Sequence, residues 1–471
     1  MLTYDCTGCT GPLYAYLADC IKRDITAGRL AAGEHLPSKR ALARQQGVST
    51  ITIQNAYDQL LSEGYIYARP RRGYFVAELG QRPQPVTAAP RQLAIDIPQQ
   101  PVWRFDFASN KTESAHFPFS IWAKIMRETL ATHHEELLAV TEAGGAHVLR
   151  AAIAQHLASF RGMSVDPAQI VVGSGTEYLY GLLIQLLGRE KIYGIENPGY
   201  RKLAQIYASH GVTCRYAGLD AQGVRVDELA AIGAEVAHIC PNHHFPTGIT
   251  MPISRRYELL AWANAAAGRL IIEDDYDSEF RLNGRPLPTL QSIDAAGRVI
   301  YMNTFAKSLS PALRIAYMVL PAALANRFYR ELAFYSCTVP AFEQYALAAF
   351  ISQGYFEKHI NRMRLHYGRK RAQVLMLIRQ CFTPAECQVH ENDSGLHFLL
   401  EFATTVPDTV IEQRLATQGI RIRSLRSFDL APNAPDQHVF LLNYSNLDVA
   451  QLPEALQHLQ QNLFGSGCLW L

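Results

Sequence analysis

Residues 303–314 read Asn-Thr-Phe-Ala-Lys-Ser-Leu-Ser-Pro-Ala-Leu-Arg, with Lys307 near the centre and an arginine at the end. This run comes directly after the apolar stretch 299–302, and an acidic turn, Glu-Asp-Asp-Tyr at 273–276, comes directly after another apolar stretch. Short apolar stretches of this kind predict buried strands. Because polar groups at the carboxyl ends of parallel strands gather at one edge of a sheet, we expect Lys307 and the acidic turn to belong to one site.

Three more apolar stretches, at 170–172, 191–195 and 236–239, precede these two, and helical patterns lie between several of them. The alternation predicts an α/β domain with a mostly parallel sheet. Directly after the first stretch comes Gly-Ser-Gly-Thr at 173–176, whose amides can hold a phosphate at the N-terminus of a helix. A plain turn between a strand and a helix is the alternative interpretation of this motif.

A lysine, a carboxylate and an arginine are the groups that a pyridoxal 5′-phosphate (PLP) site requires. Such a site holds the aldehyde of PLP as a Schiff base on a lysine, keeps the pyridine nitrogen protonated beside a carboxylate, and binds the phosphate with an arginine, hydroxyls and backbone amides. We predict these roles for Lys307, Asp274 and Arg314 in that order, and a hydrogen bond between Tyr276 and the ring hydroxyl. Taken singly, each residue has a structural alternative: a surface lysine, a capping aspartate, an ion-paired arginine and a core tyrosine.

The first part of the chain has a different organisation. A first helix is predicted from four apolar residues at helical spacing: Leu13, Leu17, Ile21 and Ile25. Ser38 and Ser49 can cap two further helices that are joined by a turn at Gly47. Two short helices joined by a tight glycine-containing turn are typical of a helix-turn-helix. The run 65–76 reads as strand, basic turn and strand, and a hairpin there would form a wing.

The charge of this part favours a DNA-binding surface. Residues 37–75 carry six cations against two acids, a net charge of +4, and cations of this kind contact phosphates. The front of the helix that begins at Ser49 carries neutral polar groups suited to base edges or phosphates. The residues predicted to contact DNA on these grounds are Lys39, Arg40, Ser49, Thr50, Thr52, Gln54, Arg69, Arg71 and Arg72. A solvated helical hairpin without a ligand is the alternative.

Residues 12–77 resemble the winged helix-turn-helix of GntR-type transcription regulators, through the runs 36–43, 47–49 and 63–65. The resemblance implies a recognition helix that begins near Ser49 and lies in the major groove. It also implies a wing, from Arg69 to Gly73, on the adjacent minor groove or backbone. The family often has arginine where this chain has Thr50, so the operator sequence of a relative should not be transferred to it.

Residues from about 105 to 460 resemble fold-type I aminotransferases, through the motifs at 173–176, 197–200, 245–248, 274–276 and 307–314. Together with the GntR-type head, the whole chain resembles a MocR-type regulator. The resemblance implies that Tyr200 stacks on the cofactor ring and that Gly175, Thr176 and Thr304 help to hold the phosphate. It further implies a head-to-tail homodimer in which each winged head lies over the partner.

Two departures from the aminotransferase pattern concern the ligand. Phe245 stands where these enzymes usually carry an asparagine that bonds the ring hydroxyl. The late strand 438–443 has no arginine where the enzymes usually bind the substrate carboxylate. Either the ligand is not an ordinary amino acid held there, or Arg421, Arg423 or Arg426 substitutes; a solvated basic strand is the structural alternative for these three.

Length and composition indicate a globular protein with more than one domain. The chain has 471 residues and is 48% hydrophobic, so it can bury a large core. We predict a DNA-binding domain at 1–78, a proline-rich linker at 79–103 and an aminotransferase-like effector domain at 104–471. No apolar run is long enough for a membrane helix and the N-terminus lacks a signal-peptide pattern, so we expect a cytoplasmic protein that contacts no membrane.

The nine cysteines are scattered, and the only CxxC pair, Cys6 and Cys9, has no second pair to complete a metal site. We therefore predict no disulfide framework and no metal site.

These features together predict a PLP-dependent transcription regulator that binds double-stranded promoter DNA. It would sense PLP, or an amine or amino-acid effector, through the Schiff base at Lys307, and an effector amine that displaces the lysine would stabilise one arrangement of the heads. The alternative is a PLP-dependent aminotransferase with an accessory DNA-binding head. Phe245 and the missing late arginine favour the regulator, so we assign no catalytic residue and expect at most residual transaminase activity.

Overall fold

The computed structural model describes residues 2–5, 11–80, 96–99, 101–109, 113–282, 287–391, 395–431 and 434–465. Contacts between residues divide the chain into two compact units, Met1–Gln99 and Gln100–Leu471. Cys6, Cys9 and most of the predicted linker lie outside the described residues. Among the helices of the described part, none is both long and apolar enough to cross a membrane.

The first unit contains three helices and a three-stranded antiparallel sheet. The helices are α1 (Leu13–Thr26), α2 (Lys39–Gln46) and α3 (Thr50–Ser62), and the strands are β1 (His35–Leu36), β2 (Ile66–Arg69) and β3 (Gly73–Val76), in the order β1-β3-β2. The predicted caps are present, since the side chain of Ser38 accepts a hydrogen bond from the amide of Ala41 and that of Ser49 accepts one from Thr52. The predicted helix-turn-helix and hairpin are therefore confirmed.

The core of this unit lies where the three helices meet the sheet. Leu17, Ile21, Ile53 and Leu60 are fully buried there. The buried Tyr57 of α3 donates a hydrogen bond to the carbonyl of Pro37, just before α2, at 2.8 Å. This contact ties the C-terminal half of α3 to the residue just before α2.

The second unit is built on an eight-stranded, mostly parallel sheet, as predicted. Its strands are β5 (Ile170–Gly173), β6 (Ile192–Asn197), β7 (Thr213–Asp220), β8 (Gly223–Val224), β9 (Val236–Ile239), β10 (Leu270–Asp274), β11 (Val299–Thr304) and β12 (Ala316–Val319), in the order β5-β12-β11-β10-β9-β6-β7-β8. Strands β7, β6, β9, β10 and β11 run parallel to their neighbours in this series. Strand β12 runs antiparallel between β11 and β5.

Helices cover both faces of this sheet. They are α4 (Phe119–Thr132), α5 (His134–Leu138), α6 (His147–Arg161), α7 (Thr176–Leu187), α8 (Arg201–Ser209), α9 (Val226–Ala231), α10 (Ile253–Asn264), α11 (Leu290–Ile293), α12 (Phe305–Ser308), α13 (Ala322–Glu331) and α14 (Ala341–Ser352). Val171, Ile300 and Met318 pack in one apolar cluster with α7, whereas Val172 and Tyr301 pack in another with α6 and α14. Alternate residues of one strand thus point into two cores, which explains why the strands read as continuous apolar runs.

The remainder of the second unit is a smaller layer. A four-stranded antiparallel sheet has the order β13-β14-β17-β16, and a short parallel pair joins β4 to β15. These strands are β4 (Phe105–Asp106), β13 (Cys387–His390), β14 (His397–Phe402), β15 (Ile420–Arg421), β16 (Arg423–Ser424) and β17 (Val439–Asn443), and the helices are α15 (Tyr355–Cys381), α16 (Asp408–Thr417) and α17 (Leu452–Phe464). One large apolar cluster joins this sheet to its helices.

Candidate cofactor site and nucleic-acid interface

Lys307 lies in the short helix α12, immediately after strand β11 of the large sheet. The hydroxyl of Thr304 caps this helix by accepting a hydrogen bond from the amide of Ala306 at 3.1 Å. The lysine is only 9% exposed, and burial lowers its pKa to about 7, although the negative charge of Asp277 opposes the shift. A substantial fraction of the amine is therefore uncharged near neutral pH, which is the form that attacks a carbonyl carbon.

Asp274 ends strand β10, next to β11 in the sheet. Its Oδ2 accepts a hydrogen bond from the hydroxyl of Tyr180 at 2.6 Å and lies 3.4 Å from Nε2 of His238. The other ring nitrogen of His238 bonds the hydroxyl of Tyr207 at 2.7 Å. The second oxygen of Asp274, Oδ1, is buried and has no hydrogen-bond partner among the described residues. A buried carboxylate oxygen of this kind fits the protonated pyridine nitrogen of PLP.

The other members of the acidic turn have structural partners. Glu273 accepts hydrogen bonds from the backbone amides of Leu290 and Gln291, both at 3.0 Å. Asp275 accepts hydrogen bonds from Arg161 at 2.6 Å and from Tyr301 at 2.7 Å, all three groups being buried. Two carboxylates therefore anchor the turn, while the one between them, that of Asp274, keeps a free acceptor.

The guanidinium of Arg314 lies against the backbone of Gly175. Gly175 precedes α7 with a φ of 93°, and a Cβ built on it would lie 2.5 Å from Nη2 of Arg314. A Cβ here would require the guanidinium to move, and glycine also adopts this backbone conformation without strain. Thr176 begins α7, whose N-terminal end attracts anions. A half-exposed arginine, bare backbone and a helix N-terminus fit a phosphate group.

Arg314 and Thr304 also have contacts within the protein. Nη2 of Arg314 lies 3.6 Å from the carboxylate of Glu177, and both side chains are partly exposed. The hydroxyl of Thr304 donates to the carbonyl of Ile315 at 3.3 Å, in addition to capping α12. The hydroxyl of Thr304 thus bonds both the start of α12, which carries Lys307, and the residue that follows Arg314.

Aromatic side chains form the wall around the predicted ring position. The ring of Tyr200, 47% exposed, lies edge-on to Phe245 at a centroid distance of 6.2 Å. Phe245 also contacts Phe428 at 5.2 Å and His397 at 5.6 Å. The residue that replaces the usual asparagine is therefore part of an apolar contact and offers no hydrogen bond to a ring hydroxyl.

Tyr276 lies in a polar corner of the same region. Its hydroxyl is 3.2 Å from Nδ1 of His243, and that nitrogen is 2.8 Å from Oδ2 of Asp277. Asp277 is also the carboxylate whose charge acts on Lys307. The predicted PLP residues Lys307 and Tyr276 are thus connected through one buried aspartate and one buried histidine, and neither His243 nor Asp277 was predicted from the sequence.

The three arginines predicted to bind an effector carboxylate each have a carboxylate partner. Arg421 lies 3.4 Å from Asp106. Arg423 pairs with Glu412 at 2.7 Å, and Arg426 pairs with Asp436 at 2.6 Å. The hydrogen bond from Arg426 lowers the pKa of the Asp436 carboxyl. An effector carboxylate would have to displace one of these partners.

The residues predicted to contact DNA lie on α2, α3 and the β2-β3 hairpin. Lys39 and Arg40 begin α2, Ser49 caps α3, and Thr50, Thr52 and Gln54 lie in its first two turns, while Arg69, Arg71, Arg72 and Gly73 form the end of the hairpin. All are exposed except Lys39 and Thr52, which are partly buried. Lys39 lies 5.2 Å from the ring centroid of Tyr74, and Arg69 lies 5.2 Å from that of Phe75.

Ile51 is a feature of this surface that the sequence analysis missed. It is 73% exposed on the first turn of α3, among polar side chains. An exposed branched apolar side chain at this position of a recognition helix suits the methyl group of thymine in the major groove. An isoleucine that interrupts the polar front 49–55 was the available signal.

Two known families match the two units. A sequence profile of "Aminotransferase class I and II" matches residues 104–459, and one of "Bacterial regulatory proteins, gntR family" matches residues 13–76. The HTH-type transcriptional regulator YdeL of Bacillus subtilis (strain 168) is 36% identical over 415 residues, which cover 87% of this chain and 88% of the relative. The probable rhizopine catabolism regulatory protein MocR of Rhizobium meliloti is 32% identical, with coverages of 95% and 93%.

Among solved structures, the kynurenine aminotransferase of Pyrococcus horikoshii, crystallised with PMP, is similar with a TM-score of 0.67 and 24% identity. The match covers 76% of this chain and 90% of that chain. At this level of identity the similarity shows the fold, and it agrees with the mostly parallel sheet of the second unit.

Proposed function

Since the chain belongs to the MocR-type subfamily of GntR transcription regulators, we propose that its DNA binding is controlled by a ligand at Lys307. The observation that carries this proposal is the buried Lys307, with its pKa lowered to about 7, at the same sheet edge as Oδ1 of Asp274, which accepts no hydrogen bond from any described residue. In this proposal, residues 1–78 bind DNA, residues 79–103 are a linker, and residues 104–471 bind the ligand.

The effector domain would hold PLP through groups that it already positions. Lys307 would attach the cofactor covalently, Asp274 would accept a hydrogen bond from the pyridine nitrogen, and Tyr276 would bond the ring hydroxyl. Tyr200 would stack on the ring, and the phosphate would be held by Arg314, Gly175, Thr176 and Thr304. When bound, PLP supplies an aldehyde carbon that exchanges one amine for another. The residues of the chain would bind and orient it, with the carboxylate of Asp274 beside the ring nitrogen.

The signal is PLP itself or an amine that takes the place of the Lys307 amine. A ligand that binds one conformation more tightly than another shifts the population between them. Occupancy at Lys307 would in this way change the affinity of the first unit for promoter DNA. We further propose that the protein is a head-to-tail homodimer and that it acts in the cytoplasm, in the compartment that holds the DNA.

A regulator accounts for the site better than a working aminotransferase does. Phe245 packs against Phe428 instead of offering an amide to the ring hydroxyl. Strand β17 has no arginine, and Arg421, Arg423 and Arg426 each have a carboxylate partner. We therefore expect at most residual transaminase activity, because a substrate carboxylate has no free arginine at these positions.

The test is a DNA-binding titration of the purified full-length protein, with and without PLP, against the promoter region next to its own gene. We expect PLP, or one member of a panel of amines, to change the affinity of the wild-type protein by tenfold or more. The change should be absent in Lys307→Ala and present in the control Lys358→Ala, which replaces an exposed lysine of α15. Equal responses of both variants would contradict the proposal.

A second measurement separates the regulator from the enzyme. Turnover of amino donors and keto acceptors is followed with the same preparations. Efficient transamination together with an absence of specific DNA binding would favour the aminotransferase and would overturn the regulatory proposal.

A further inference from the structure

Three side chains of types that commonly bind metals lie close together in the second unit, and none of them belongs to the site around Lys307. Glu113 precedes the short 3-10 helix Ser114–His116, His116 is the last residue of that helix, and His366 lies on α15. Oε2 of Glu113 is 2.9 Å from Nε2 of His116 and 3.4 Å from Nε2 of His366. The potential ligand atoms of the three side chains all lie within 4.8 Å of one another. We infer that Glu113, His116 and His366 bind a zinc ion.

The separations suit a single ion. Two ligand atoms that are each about 2.1 Å from zinc lie about 3.4 Å apart at the tetrahedral angle and about 3.0 Å apart at a right angle. The two distances from the Glu113 oxygen fall at these values. The rings of His116 and His366 are neighbours, with centroids 4.0 Å apart, so a small rotation of the two side chains would bring one nitrogen of each to a shared ion.

Two contacts prepare the cluster for a ligand. Nζ of Lys370 donates to Oε1 of Glu113 and also to the carbonyl of Ser445 at 3.2 Å, which orients the carboxylate and leaves Oε2 to face the histidines. Nε2 of His366 faces the same oxygen at 3.4 Å, farther than Nε2 of His116 at 2.9 Å. A bound ion would replace both of these contacts with the carboxylate oxygen.

The chemical types of these three ligands favour zinc. Two imidazoles and one carboxylate are a common set for zinc with three protein ligands and one open position. Calcium and magnesium prefer oxygen ligands only. Glu113 and His366 also line a cavity of about 630 Å³, together with Arg369, Lys370 and Asn446, so an ion can enter from solvent and keep a water molecule as its fourth ligand.

The ion would join residues 113–116 to helix α15, which contacts the segment that carries Lys307. In α15, Nε2 of His359 lies 2.9 Å from the carbonyl of Ser308, and Nε of Arg364 donates to the carbonyl of Glu279 at 2.6 Å. His366 lies on the same helix, two turns beyond His359. Zinc would thus tie residues 113–116 to α15. This inference does not rest on the proposed function, and it replaces our expectation from the cysteines that the chain has no metal site.

The test is a titration of tag-free, chelator-treated full-length protein with zinc chloride, followed by competition with a chromophoric chelator. We expect one zinc ion per chain and a higher thermal unfolding temperature with zinc than without it. His366→Gln and His116→Gln should each weaken zinc binding at least tenfold, since even the loss of an indirect contact to a metal commonly weakens binding to that extent.

The matched control is His390→Gln, which removes a different histidine that lies 2.7 Å from a glutamate, Glu401; among the described residues this pair has no third potential ligand. It should leave zinc binding unchanged. Circular dichroism identifies a variant that fails to fold, in which case the other glutamine variant decides. The inference is overturned if the wild-type protein binds no zinc with defined stoichiometry, or if the folded glutamine variant binds it as tightly as the control; Glu113 is then only a carboxylate neutralised by Lys370.

Discussion

Lys39 and Lys307 show how two regions of one chain use the same functional group differently. Lys39 is partly exposed at the start of α2, beside the ring of Tyr74, and there its charge can be matched by a phosphate. Lys307 is buried after β11, and burial lowers its pKa to about 7. A cation at the surface attracts phosphates, whereas burial lowers the pKa of Lys307 and increases the fraction of its amine that can act as a nucleophile. The difference lies in desolvation.

The largest effect expected from this comparison is a separation of the two functions by single substitutions. Lys307→Ala should abolish covalent PLP attachment, measured as loss of the absorbance band of the lysine-bound cofactor. In the absence of PLP the same variant should bind DNA like the wild type. Lys39→Ala should keep the band and weaken DNA binding, with a salt-dependence slope lower by roughly one. A substitution that reduces both the absorbance band and the DNA affinity equally would contradict this separation of the two functions.

A smaller effect is expected from Asp274→Asn, which keeps the shape and removes the charge of the carboxylate. A hydrogen bond to a charged group contributes about 2 kcal/mol, so PLP should bind roughly 30-fold more weakly. Equilibrium dialysis or the absorbance titration measures the change. Asp227→Asn, at an exposed aspartate paired with Arg225, is the control. Equal affinities of the two variants would show that Asp274 does not contact the ring nitrogen.

A pH dependence follows from the lowered pKa of Lys307. With a pKa of about 7, the uncharged fraction of the amine rises from roughly a tenth at pH 6 to roughly nine tenths at pH 8. The rate at which the apoprotein takes up PLP should therefore rise about tenfold over this range and then level off. Stopped-flow absorbance measures it. A rate that continues to rise towards pH 10 would indicate that the lysine retains an ordinary pKa and that burial does not prepare it for reaction.

The smallest effect concerns Ile51 on the DNA side. Ile51→Ala removes exposed apolar surface, so affinity for a specific operator should fall by about 1 kcal/mol, or roughly fivefold. Affinity for unrelated DNA should stay the same, because that binding depends on cations. Competition binding with operator and random DNA distinguishes the two. Ile253→Ala, at an exposed isoleucine of the second unit, is the control; an equal loss on both DNAs would contradict a base contact.

Local patterns were sufficient to predict five strands of the large sheet and the helices and hairpin of the first unit. The five apolar runs are strands of one sheet, and Ser38 and Ser49 cap the helices of the DNA-binding motif. These features depend on residues close together in sequence and on hydrophobic periodicity. For the same reason, the position of Lys307 after a strand followed from the sequence alone. Its roles in ligand binding, like those of the other site residues, stay predictions.

Contacts between distant residues could not be predicted in this way. Tyr180 bonds Asp274 across 94 positions of the chain, and His238 approaches it from 36 positions away. The carboxylate partners of Arg421 and Arg426 likewise depend on how the smaller layer folds. Side-chain pairing of this kind follows from tertiary packing, which single-sequence periodicity does not contain.

The antiparallel strand β12 has a consequence for how the chain tolerates insertions. It returns from the Lys307 turn to pair with β5, where Ala316 lies opposite Gly173. Side chains alternate between the two faces of a strand. If adding or deleting one residue in the segment 305–315 shifted the register of β12 by one residue, every side chain of β12 would point to the opposite face of the sheet. This segment is therefore a fixed-length spacer between the lysine and the arginine, and homologues should vary in length in other loops, not within 305–315.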